Sequence, residues 1–124
     1  MLNELAQEIY KNNVTHGFYD TPVERGTRLM LITSELAEAL EADRHKRYAE
    51  PISDEFFEYM MNLKGDDFNI VFEDLIKDTY QDEASDAIIR LLDLGACEKM
   101  DIDKHVRLKM KYNSLRPYKH GKEY

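Results

Sequence analysis

Two pairs of acidic residues, each three positions apart, are the groups in this chain best suited to chemistry. Glu35 and Glu38 lie in "SELAEALEADR", and Glu83 and Asp86 lie in "DEASDAIIRLLDL". A helix turns ~100° per residue, so residues three apart sit ~60° apart on one face. Carboxylates gathered on one face repel one another unless they keep a proton or share a cation. An all-oxygen set of this kind suits a hard cation, Mg²⁺ or Mn²⁺. Glu41 extends the first row to E-x-x-E-x-x-E, so the choice of ligands among Glu35, Glu38 and Glu41 stays open. The spacing is also common: 34% of residues are charged, and Glu55 and Glu58 repeat it. A solvated helix face accounts for either pair taken alone. The di-iron alternative needs Glu-x-x-His. None of His16, His45, His105 or His120 has an acid three positions before it.

The second chemical feature is the basic end of the chain. Residues 1–103 hold 24 acids and 10 Lys or Arg, whereas residues 104–124 hold 7 Lys or Arg and one acid, Glu123. "KMKYNSLRPYKHGKEY" carries Lys109, Lys111, Arg116, Lys119 and Lys122, with Tyr112 and Asn113 among them. Cations near a helix C-terminus offset its dipole. They also suit phosphate oxygens. A cation held by acids and phosphates held by bases would be two halves of one polyphosphate site.

Helices must position these groups. Leu2, Leu5, Ala6 and Ile9 share a face of a first amphipathic helix over residues 2–12. "TPVE" reads as the start of a second, with Thr21 as cap, Pro22 at the first position and Glu24 closing a capping box. No Gly or Pro interrupts residues 27–49, so this helix is long, and Pro51 ends the region. Leu29, Ile32, Leu36 and Leu40 form an apolar stripe beside its acids, as Ala87, Ile88, Leu91 and Leu92 do beside Glu83 and Asp86. Antiparallel packing through these stripes would converge four carboxylates. "SDEFFEYMMNLKG" reads as a helix capped by Ser53 and stopped by Gly65. "FNIVF" fits a short extended segment or a helix. Another helix begins near Thr79, and the last begins after Asp101 or Asp103 and stops before Pro117. The expectation is an all-α bundle of four to five helices, two of them long and carrying the acidic motifs. It forms one domain over residues 1–124, with an extra helix at about 50–70.

Bulk properties narrow the partners. A net charge of −8 opposes binding to polymeric nucleic acid, where cations supply most of the affinity. No apolar run approaches the ~20 residues that cross a bilayer. Glu4 and Glu8 make the first ten residues unlike a signal peptide. The single cysteine, Cys97, excludes an internal disulfide and fits a reducing compartment. These features lead to the expectation of a cytoplasmic protein without membrane contact.

Together, "SELAEALEADR", "DEASDAIIRLLDL", "HGFYD" and "KYNSLRPYKHGK" resemble MazG-type nucleotide pyrophosphohydrolases of the all-α NTP pyrophosphatase superfamily. The resemblance covers most of the chain. It departs in about two dozen additional residues between the acidic pairs and in Ser34, where many members carry a second glutamate. It implies Mg²⁺-dependent hydrolysis of a nucleoside triphosphate to the monophosphate and pyrophosphate, with Mn²⁺ as a substitute. Glu35, Glu38, Glu83 and Asp86 would hold the cation, and Glu38 or Glu41 would orient or deprotonate water. Lys109, Tyr112, Asn113, Arg116 and Lys119 would bind substrate. A homodimer or homotetramer is implied. Two alternatives stay open: a phosphoribosyl-ATP-type pyrophosphohydrolase, and a non-catalytic helical module that binds a nucleotide or a partner.

Overall fold

The computed structural model describes residues 1–121. It is all-helical, with no strand among the described residues. Six α-helices appear where four to five were expected: α1 (Leu2–Thr15), α2 (Arg25–Arg44), α3 (Asp54–Asn62), α4 (Gly65–Leu75), α5 (Tyr80–Cys97) and α6 (Ile102–Ser114). A short 3-10 helix, Tyr118–Gly121, follows. The additional helix arises from "FNIVF". Phe68, Val71, Phe72 and Leu75 recur at helical spacing, Phe68 stacks on Phe72 at 5.7 Å, and Asp66 and Asp67 favour the helix start. Among the described residues, no helix is long and apolar enough to cross a membrane.

The chain divides into two compact units, one of residues 25–88 and one of residues 1–24 with 89 onward. The second of these is built round Ala6, which is 1% exposed, with Leu92, Ala96 and Ile102 against it. Its helix starts cap one another. The Asp103 carboxylate accepts from the backbone of Leu2 (2.9 Å) and Asn3 (3.3 Å) at the head of α1. Asn3 returns the contact, accepting from Asp103 N at 3.1 Å and donating to Asp101 at 3.0 Å. Asp101 also accepts from Lys104 N at 3.1 Å and so caps α6. Helix-end N–H groups have no partner within their own helix, so these acids supply one.

The unit of residues 25–88 holds the acidic pairs. α2 begins at Arg25, not just after Thr21. A turn closed by Asp20 N donating to Gly17 O (3.2 Å), with Gly17 at φ 84°, precedes it, and Pro22 disfavours helical geometry at Thr21. The helix also ends early, at Arg44. Lys46 takes a left-handed φ of 56°, and Arg47 N reaches back to Ala42 O at 2.9 Å. That is a Schellman closure with lysine where glycine is usual. Ser53 caps α3 as expected, accepting from Phe56 N at 3.1 Å. α3 stops at Asn62, where Leu63 turns extended, and Gly65 at φ 54° opens α4 rather than ending α3.

The apolar stripes differ from expectation. The buried residues of α2 are Glu35, Ala39 and Ala42, whereas Leu36 and Leu40 are 55% and 49% exposed. On α5 the same unit buries Glu83 and Ala87 and leaves Ile88 exposed. Each helix therefore turns inward a stripe of one glutamate and small residues.

Candidate metal centre

Glu35 and Glu83 are each 8% exposed, an unusual depth for glutamate. Glu35, Ala39 and Ala42 recur at i, i+4 and i+7, so the turn that buries the alanines also buries the acid. Glu83 stands to Ala87 in the same way. Across the two helices Glu35, Glu38 and Glu83 each offer a carboxylate oxygen within 4.8 Å of the others. These are three of the four ligands expected from sequence.

The electrostatics follow from the crowding. Burial pushes the Glu83 carboxyl up to about 7. A hydrogen bond with Glu38 adds to this, as do the charges of Glu38, Asp82 and Asp86. The Glu83 carboxyl therefore holds its proton well above the ordinary carboxylate range. A divalent cation among the three carboxylates would replace that proton, and their hard oxygen donors fit Mg²⁺ or Mn²⁺.

Asp86 lies outside the 4.8 Å group, although its charge acts on Glu83. Glu41 is half-exposed and engaged on its own helix, 3.4 Å from Arg44 and 3.4 Å from His45. Asp78 and Asp82, not singled out from sequence, form a second 4.8 Å group with Glu83. Asp82 accepts from Asp78 N at 2.9 Å, so part of that group caps the start of α5. Its sequence signal is faint, because Asp78 sits at a left-handed φ of 62° with no glycine to mark the turn.

In the other unit, α6 and the segment after it arrange the tail. Lys109 Nζ stands 4.8 Å and Arg116 Cζ 5.5 Å from the centre of the Tyr112 ring. Lys119 Nζ lies 5.7 Å from the Tyr118 ring. Asn113 is half-buried, and its carbonyl accepts from Arg116 N at 3.2 Å. The structure thus groups the exposed Lys109 and Tyr112 with the half-buried Arg116, with Lys119 on a separate ring. Lys122 lies outside the described residues. In "HGFYD", the Tyr19 hydroxyl donates to Asp93 at 2.7 Å and its ring meets Tyr10 edge-on at 4.8 Å. That tyrosine is committed to the interior, whereas Phe18 is exposed.

No protein-family model, curated protein or solved structure matches the chain.

Proposed function

We propose that the chain is a Mg²⁺-dependent nucleotide pyrophosphohydrolase, converting a nucleoside triphosphate and water to the monophosphate and pyrophosphate. The observation that carries this reading is the meeting of Glu35, Glu38 and Glu83 within 4.8 Å, two buried glutamates with the exposed Glu38 beside them. The resemblance of both acidic motifs and of the basic end to MazG-type enzymes supports it.

In this reading Glu35, Glu38 and Glu83 hold the cation, with Asp86 adding charge. Bound Mg²⁺ would neutralise phosphate charge and acidify a coordinated water. Hydrolysis breaks the α–β anhydride bond. Water's oxygen goes to phosphorus, the bridging oxygen leaves with the other fragment, and one proton of the water needs an acceptor. Glu38 is our assignment for that acceptor, because its exposed carboxylate lies within 4.8 Å of the two buried ones. Glu41 is the second candidate, with Arg44 and His45 beside it. The resemblance implies phosphate contacts for Lys109, Arg116 and Lys119 and a substrate-binding role for Tyr112 and Asn113. Assembly of two or four copies belongs to the reading. Leu29, Met30, Leu36 and Leu40 are exposed along α2, an apolar surface of the kind a second copy covers.

The test is a side-by-side screen of nucleoside triphosphates and phosphoribosyl-ATP with Mg²⁺, reading pyrophosphate. At least one should be turned over, and Glu38→Gln and Asp86→Asn should lose at least ~100-fold in rate while keeping their helical spectra. Full activity in both folded variants, or no turnover of any nucleotide with Mg²⁺ or Mn²⁺, would overturn the proposal.

A further inference from the structure

The unit of residues 25–88 also holds a cavity of about 450 Å³ that the metal centre does not use. It lies within the additional residues between the acidic pairs. It is an open cavity lined by Tyr48, Ile52, Phe56 and Leu75, with the acidic residues Glu50 and Asp74 at its exposed rim. A volume of roughly 300–1,000 Å³ with apolar walls and a few polar groups is the usual form of a small-molecule site.

The walls are fixed from several sides. The Tyr48 hydroxyl donates to Asp43 Oδ1 at 2.6 Å, and its ring meets Tyr80 edge-on at 6.3 Å. The backbone on either side of Tyr48 is tied to α5. Tyr80 N donates to Arg47 O at 2.8 Å, and Ala49 N donates to Gln81 Oε1 at 2.8 Å. Phe56 sits in the first turn of α3, where Ser53 accepts from its N–H. Tyr80 and Gln81 precede Glu83 on the first turn of α5, so one short stretch of helix anchors the cavity and supplies a cation ligand.

The chemistry of the lining selects the occupant. No Lys, Arg or His is among the described residues that line it. Two acidic residues, Glu50 and Asp74, and the C-terminal end of α4, at Leu75, make its surroundings electronegative. Phosphate and carboxylate ligands are repelled. A flat ring fits the aromatic walls, and N–H donors on its edge satisfy the carboxylates. We propose that this cavity binds a heteroaromatic ring bearing an exocyclic amino donor. Resting on the nucleotide-hydrolase reading, it receives an amino-bearing base of the substrate: adenine, guanine or cytosine. Uracil and thymine present two carbonyl oxygens beside a single N–H, and the carboxylates disfavour them.

The test uses free nucleosides without phosphate or metal, titrated into the ¹⁵N-labelled chain and followed by NMR. At least one of adenosine, guanosine and cytidine should shift amides of residues 48–56 and 74–76, more strongly than uridine or thymidine does. Asp74→Asn combined with Glu50→Gln, both at exposed positions, should weaken that binding about tenfold. Glu38→Gln should bind the nucleoside as the parent chain does. Nucleoside binding without pyrophosphate release from any nucleotide would uphold the cavity and sink the hydrolase. Turnover with no nucleoside shifts at these residues would sink the cavity alone. Equal shifts with thymidine, or unchanged affinity in the double variant, would also overturn it.

Discussion

Glu83→Gln should stabilise the metal-free protein in neutral and alkaline solution and abolish its response to cation. The Glu83 carboxyl is raised from 4.5 to about 7, first by burial and then by Glu38. The folded chain therefore keeps a proton that the unfolded chain gives up between those values. Stability from this group is full below pH 4.5 and is lost as pH rises through 7. The difference amounts to at most about 3 kcal/mol, less whatever solvent screens at the edge of the cluster. The amide that replaces the carboxyl carries no charge and escapes that loss. With an unfolding entropy of about 2.1 cal/mol/K per residue, 1 kcal/mol moves the melting temperature of a chain this size by about 4 °C. At pH 8 with chelator the variant should melt up to about 10 °C above the parent, and at pH 4.5 the two should coincide. Saturating Mg²⁺ closes the gap. At one hundred times its dissociation constant it should stabilise the parent by about 2.7 kcal/mol and leave the variant unmoved. Melting curves at the two pH values, with chelator and with Mg²⁺, give every number. A variant no more stable than the parent at pH 8 in chelator would refute the electrostatic reasoning.

Two further predictions concern the unit that contains α1 and α6. Tyr19→Phe removes the donor to Asp93, which is 7% exposed and whose Oδ1 has no hydrogen-bond partner among the described residues. An unpaired buried carboxylate oxygen should lower stability by ~1–3 kcal/mol, read as a fall of ~4–12 °C in melting temperature; an unchanged melt would contradict this. Gly95→Ala would place a Cβ 2.5 Å from Ile102 Cδ1 and 2.9 Å from its Cγ1. Ile102 is buried among Ala6, Leu92 and Ala96, so overpacking of ~1–3 kcal/mol should outweigh the ~1 kcal/mol gained from helix propensity. The urea midpoint should fall, and a rise would show that Ile102 moves aside freely.

The all-helical fold was legible in the sequence, whereas packing of α2 on α5 through the leucine stripes was not found, and three of the four expected carboxylates meet. Period and spacing dictate which residues share a face. Ser53 was legible as a cap and Asp101 as one of two candidates with Asp103, and the side chains of Ser53 and Asp101 make the capping bonds. Two helix ends were not. Left-handed closures at Lys46 and Lys99, with φ near 56° and 59°, carry no glycine, so nothing in the residue types marks where α2 and α5 stop. Nor does periodicity say which of two adjacent stripes is buried. On α2 the leucine stripe is the more hydrophobic, but the stripe of Glu35, Ala39 and Ala42 is the one turned inward. Small residues pack as well as leucines, and hydrophobicity alone ranks them lower. The cavity at Tyr48 and Asp74 was hidden because it brings together residues 26 positions apart, joined through backbone bonds to α5.

In the proposed function, α2 and α5 bring Glu35, Glu38 and Glu83 round one divalent cation. A titration of Mn²⁺ into the protein at pH 8, followed by the loss of the free-ion electron paramagnetic resonance signal, tests it most directly. The parent chain should take up Mn²⁺ at a site that Mg²⁺ displaces. Glu35→Gln and Glu38→Gln, folded by circular dichroism, should each weaken that site at least about tenfold. Uptake of equal strength in both variants would contradict the account.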